Sequence, residues 1–251
     1  MFKNFKLYII IATFILLQGT NCFSAPNFTY STPDTYQYKP LPVDKNSSEE
    51  ILFIVDFSNS MNEHIAGQTK LDIAVSTMKD ILQQIPKHTK VGFRAYGHKT
   101  GFTPRQSCTA SQLISPIQQN NAISIYTKID SINAVGWTPI TYSLKQAVNN
   151  DFVGTKGKKH IILLTDGGEN CDESPCTYVI NLMKTRDDVT IDVIAFDVHD
   201  IEANNQLKCT ALMTSGKFLN ANSQEDLANS MFETIGINKD VKGSIKIPVE
   251  N

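Results

Sequence analysis

The run at 51–55 (ILFIV) is continuously apolar and stops on Asp56, and the run at 161–165 (IILLT) does nearly the same and stops on Asp166. A strand carrying large apolar residues on both faces is stable only inside a sheet that is covered on both sides. Between these runs, Leu71, Ala74, Val75, Met78, Ile81, Leu82 and Ile85 recur at helical spacing as one stripe, and Pro86 helps to end it. The same reading places strands at 90–96, 113–117, 189–196 and 217–220, and helices at 121–133, 140–149, 175–186, 203–214 and 223–235. Strands alternating with helices imply an α/β fold: a doubly wound, mostly parallel sheet with one short antiparallel edge strand and helices on both faces. Ligands of such sheets bind beyond the carboxyl ends of the strands, where the strand order reverses.

The remainder of the chain sets limits on this domain. Lys3 and Lys6 precede an apolar run at 7–17 that is too short to span a bilayer, so 1–24 reads as a signal peptide cleaved after Ser24. Asn21 argues against lipid attachment at Cys22. Residues 25–49, rich in Pro, Ser, Thr, Asn and Tyr, read as an extended arm, 50–237 as the domain and 238–251 as a tail. Without the leader the chain has 21 basic and 25 acidic residues, a balance that argues against a nucleic-acid or anionic-membrane surface. No later segment is long and apolar enough to span a membrane. An exported, periplasmic or secreted chain is expected.

Cys108, Cys171, Cys176 and Cys209 then form an even set suited to two disulfides in an oxidising compartment. Cys108 and Cys171 fall on loops at one end of the sheet, and Cys176 and Cys209 on consecutive helices, which favours pairing in that order. Cys171 with Cys176, closing a short loop, is the rival pairing. A zinc site is disfavoured, because no second close Cys/His pair accompanies Cys171 and Cys176.

The chemistry concentrates after the first buried strand. Asp56, Ser58 and Ser60 put a carboxylate and two hydroxyls on one tight loop, while Asp166 ends another central strand and Thr138 lies on a loop marked by Gly136 and Pro139. Two carboxylates and three neutral hydroxyls are hard oxygen donors, suited to magnesium, with manganese or calcium as alternatives. Because the donors carry few formal charges, a bound cation would stay electrophilic and accept a carboxylate from a partner. The bland alternative is that these residues merely cap loops and form turns, as Asp and Ser commonly do.

The segments DFSNSM, GWTPI and LLTDGGEN resemble the metal-ion-dependent adhesion site of von Willebrand factor type A domains, over about 51–236. That resemblance implies direct coordination by Ser58, Ser60 and Thr138, with Asp56 and Asp166 acting partly through water or hydroxyl hydrogen bonds. RAYGH, ENCDESPC, LKCTALMTSGKF and SQEDLANS further resemble the bacterial branch related to calcium-activated chloride channel regulators. Asn59 and Ser215 stand where this family usually or often has glycine.

Other residues weigh less. His98 reads as a structural hydrogen-bonder and not as a general base, because no nucleophile accompanies it. Trp137 and Asn59 flank the site as contacts for a partner, though Trp137 suits packing under its loop equally well. Lys156, Lys158 and Lys159 read as a solvated turn. The expected function is a non-enzymatic, metal-dependent binding module for a protein that presents an Asp or Glu carboxylate. The alternatives are a metal-dependent hydrolase, or an exported structural protein whose metal only ties loops together.

Overall fold

The computed structural model describes residues 49–236. The expected leader at 1–24, the arm at 25–49 except its last residue, and the tail at 238–251 lie outside them. Six strands form the main sheet: β1 (Glu50–Asp56), β4 (Lys90–Tyr96), β5 (Ser111–Gln118), β6 (Lys159–Thr165), β7 (Val189–Phe196) and β8 (Phe218–Ala221), in the order β5-β4-β1-β6-β7-β8. Only β5 runs antiparallel, against β4. It is longer than expected. Pro116 is accommodated because β5 is an edge strand with register shifts against β4. A hairpin of β2 (His64–Ile65) and β3 (Gln68–Thr69), which has no clear periodic signal, lies between β1 and the first helix.

The helices are α1 (Lys70–Gln84), α2 (Pro104–Ser107), α3 (Ala122–Ile129), α4 (Ile140–Gln146), α5 (Pro175–Leu182), α6 (Ile201–Met213) and α7 (Gln224–Thr234). Several begin where the sequence supplies a cap: Thr69, Ser174, Asp200 and Ser223 each accept a hydrogen bond from a backbone N–H in the first turn. α4 is shorter than expected and passes into a π-helical turn at Ala147–Asp151. That turn ends on Asp151, which takes a two-point ion pair from Arg94 at 2.7 Å on each arm.

Alternate residues of each strand feed two cores. Phe53, Val55, Ile162 and Leu164 join Ile73, Met78, Ile81, Leu227 and Met231 on the face of α1 and α7. Leu52, Ile54, Ile161 and Leu163 join Ile140, Leu144, Val179 and Leu207 on the face of α4, α5 and α6. Each fully buried large side chain contributes about 1.5–3 kcal/mol, which is why the strand runs are apolar on both faces. Lys159 corrects the reading of a solvated turn. It is 1% exposed and pairs with Asp188 at 2.7 Å, a carboxylate that Arg186 also engages. No helix among the described residues is long and apolar enough to cross a membrane.

Candidate metal centre

β1 pairs with β4 on one side and β6 on the other, so the chain passes β1 to β4 to β5 on one flank and then crosses to β6 on the opposite flank. The reversal point lies between β1 and β6. Asp56 and Asp166 sit there, at the carboxyl ends of those two strands. The loop after β1 turns at once into a 3₁₀ turn at Asn59–Asn62, which places Ser58 and Ser60 over the same corner.

A continuous chain of hydrogen bonds joins four of the five expected residues. Ser58 N–H donates to Asp56 Oδ1 at 2.6 Å, the Ser58 and Ser60 hydroxyls lie 2.9 Å apart, and Ser60 Oγ donates to Asp166 Oδ1 at 2.7 Å. Thr138 lies on a neighbouring loop, two residues beyond Gly136, which bridges to Ser58 and whose carbonyl accepts Asn59 N–H at 3.0 Å. Asp56, Ser58, Thr138 and Asp166 are all buried. The close approach of these loops depends on two glycines. A Cβ on Gly97, whose φ is +72°, would lie 2.6 Å from Ser58 N, and one on Gly136 would lie 2.7 Å from Gly97 O.

Burial dominates the electrostatics of the two carboxylates. Burial, and then the negative charge of Asp166, push the Asp56 pKa up to about 7 against the opposing hydrogen bonds of Ser58 and Thr165. Burial likewise raises Asp166, although Ser60 and Lys70 oppose it. Asp56 Oδ2 also accepts the Tyr96 hydroxyl at 3.1 Å and the Thr165 hydroxyl at 2.8 Å. Two carboxylates raised by burial, linked through hydroxyl oxygens, fit a hard divalent cation: Ser58, Ser60 and Thr138 offer oxygen donors, and Asp56 and Asp166 offer charge. No group of three His, Cys, Asp or Glu among the described residues is arranged to hold a metal by itself.

The structure joins Cys108 to Cys171 and Cys176 to Cys209, with Cα–Cα distances of 5.5 and 5.4 Å. The rival pairing of Cys171 with Cys176 is absent. The first bridge braces the loop beside Thr138: Asn170 Oδ1 accepts Thr138 N–H at 2.8 Å, and Glu169 accepts the N–H groups of Thr141 and Cys171 at 2.7 and 3.0 Å. Trp137 is 39% exposed, and Asn59 is exposed. Asn59 is not among the residues with positive φ, so its turn has no need of glycine; Ser215, at φ +59°, occupies a position that favours it. His98 has Gln112 as a side-chain hydrogen-bond partner whose effect opposes burial. Both ring nitrogens are shut from solvent, and burial lowers its pKa.

Sequence reasoning passed over several participants. Tyr96, Thr165, Glu169 and Asn170 carry no spacing signal, because their roles arise only from strand register and loop contact. Asp197 was legible: it ends β7 after an apolar run, as Asp56 and Asp166 end theirs. Lys70, the first residue of α1, is 4% exposed and contacts Asp166, Asp197 and Glu63. Burial alone would lower its pKa, and those three carboxylates more than offset the effect.

Comparison with known proteins agrees with this fold. The chain is 30% identical over 181 residues to the uncharacterized protein YwmC of Bacillus subtilis (strain 168), spanning 70% of this chain and 78% of that one. It is 25% identical over 187 residues to the uncharacterized protein YwmD of the same organism, spanning 73% and 83%. Among solved structures, a von Willebrand factor type A protein from Catenulispora acidiphila superposes with a TM-score of 0.59 at 19% identity, over 74% of this chain and 42% of that one. Proximal thread matrix protein 1 of the mussel byssus gives 0.58 at 22% identity. The match covers 77% of this chain but 46% of the mussel protein, so the chain spans just under half of it; one structure of that protein has zinc in its MIDAS motif. The sequence profile of the von Willebrand factor type A domain matches residues 50–233, and the chain therefore belongs to the von Willebrand factor type A domain family.

Proposed function

We propose that this protein is an exported, non-enzymatic binding module that captures an acidic group of a partner protein through a divalent cation, magnesium foremost, at Asp56, Ser58, Ser60, Thr138 and Asp166. The observation that carries the reading is the hydrogen-bonded chain from Asp56 through Ser58 and Ser60 to Asp166, at the point where the strand order reverses. The zinc-occupied motif of the mussel protein supports a metal at the corresponding corner. When bound, the cation supplies an electrophile for a carboxylate oxygen. The residues of the chain do the rest. Tyr96 and Thr165 hold Asp56 in one orientation, Ser60 orients Asp166, and Asn170 and Glu169 fix the backbone at Thr138 and Thr141. Trp137 and Asn59, exposed beside the corner, are positioned to touch the partner. Export is supported by the two disulfides, which persist in oxidising compartments.

The test combines melting and capture. Millimolar magnesium over a site of ~10–100 micromolar affinity adds about 1.5–3 kcal/mol and raises Tm by several degrees. Thr138→Ala removes that increment while leaving the fold, and chelator releases a partner captured by the wild type. A Tm unchanged by millimolar magnesium, manganese and calcium rules out the metal site. Metal binding together with partner capture that chelator does not affect rules out the carboxylate mechanism.

A further inference from the structure

The Lys70 ammonium lies among three carboxylates: Glu63 Oε2 at 2.8 Å, Asp197 Oδ2 at 3.2 Å and Asp166 Oδ2 at 3.3 Å. The other oxygen of Asp166 is held by Ser60 Oγ. Asp166 is thus divided between the hydroxyls of the metal corner and a cation built into the chain. Local structure fixes this cation in place. The β2–β3 hairpin returns the chain beside the metal loop, Thr69 caps α1, and Lys70 N–H donates to the Glu63 carbonyl at 2.8 Å. Asp197 holds a left-handed φ of +57° at the end of β7, beside β6.

We propose that Lys70 is a tethered counter-ion that competes with the divalent cation for Asp166, its ammonium passing to Asp197 and Glu63 when the site fills. The inference rests on the metal-binding reading above. A buried carboxylate left without a counter-charge is strongly destabilising, so an ammonium within reach keeps the metal-free corner folded. The same positive charge repels an incoming divalent cation and lowers its affinity. Two further carboxylates within 3.2 Å keep the displaced ammonium paired, so it need not be left as a bare buried charge. Lysine suits this role because its charge is compact and sits on a flexible stem, whereas the planar guanidinium of arginine would fix one geometry.

Calorimetric titration of the full chain with magnesium and with manganese, alongside Tm in chelator, tests the proposal with Lys70→Met and Asp197→Asn. Lys70→Met lowers Tm in chelator and binds magnesium at least on the order of tenfold more tightly, because a unit positive charge that repels the incoming ion is removed. Asp197→Asn, which keeps a residue tolerant of left-handed φ, leaves the ammonium fewer places to go and weakens magnesium binding severalfold. A folded Lys70→Met protein that binds magnesium as the wild type does, or more weakly, overturns the proposal and makes Lys70 a mere support for Asp166. If Lys70→Met does not fold, unchanged or tighter binding by Asp197→Asn overturns it. No saturable binding by any of the three proteins overturns the metal-site reading and this inference with it. Wild-type binding that Lys70→Met leaves untouched overturns this inference alone.

Discussion

Replacing the cysteines of each bridge in turn by alanine separates chain stiffening from support of the metal corner. The bridges span sequence separations of 63 and 33 residues, Cys108 to Cys171 and Cys176 to Cys209 respectively. Loop-closure entropy assigns them about 4.3 and about 3.7 kcal/mol, and residual structure in the denatured chain commonly reduces such values to about 2–4 kcal/mol. On stability alone the two double variants are therefore nearly equivalent. Their attachments differ. Cys171 follows Asn170, which holds Thr138 N–H, and Glu169, which holds Thr141 N–H, while Cys176 and Cys209 join α5 to α6. Urea unfolding in chelator and in millimolar magnesium reads both effects. Both variants lose about 2–4 kcal/mol in chelator. Cys176→Ala with Cys209→Ala keeps the magnesium increment of about 1.5–3 kcal/mol, whereas Cys108→Ala with Cys171→Ala loses most of it. Equal magnesium increments in the two variants would refute the assignment of the first bridge to Thr138.

Three further outcomes are expected. His160 is buried with Nε2 at 3.0 Å from Asp192 and Nδ1 at 3.4 Å from Glu49; despite burial, these carboxylates raise its pKa to about 9. A raised folded pKa means that the stabilisation, roughly 2–4 kcal/mol, is fully present below about pH 6.5 and is lost as pH rises through about 9, a loss that His160→Gln should abolish in urea unfolding between pH 6 and 10. Asp151→Ala leaves the buried Arg94 unpaired and should cost about 3–5 kcal/mol by denaturant midpoint, with magnesium binding retained. Ser215→Gly relieves a left-handed φ that costs about 1–2 kcal/mol, against a glycine chain-entropy cost of about 0.5–1 kcal/mol, so Tm should rise by a few degrees at most.

The strands and the site loop were legible because they rest on local patterns. Strands at 90–96 and 189–196 match β4 and β7, since an apolar run bounded by turn signals determines both position and burial. Asp56, Ser58 and Ser60 share one loop, so their proximity follows from the chain itself. Helix ends were read less well. The helix expected at 175–186 stops as α5 at Leu182, although turn hydrogen bonds continue to Arg186, and the π turn at Ala147–Asp151 leaves no periodic trace. Buried charge was the least legible of all. Lys70 and Lys159 look like surface residues in sequence, because what allows each to be buried is a carboxylate distant in the chain: Asp166 and Asp197 for one, Asp188 for the other.

The position of the corner follows from topology more than from loop composition. After β1 the chain leaves to α1 on one face of the sheet, and after β6 it leaves to α5 on the other. Loops that diverge in this way do not close over the two strand ends between them. Asp56 and Asp166 are consequently fixed at the ends of paired strands, deep enough for burial to raise both pKa values, with the Ser58 and Ser60 groups hydrogen-bonded to them. A loop built in that position has to supply oxygen atoms and little bulk. Its backbone can vary wherever φ stays negative, which explains how Asn59 occupies a position where the family usually has glycine without displacing Ser58 or Ser60. Gly97 and Gly136 have no such freedom, because a side chain on either would push the loops of Ser58 and Thr138 apart.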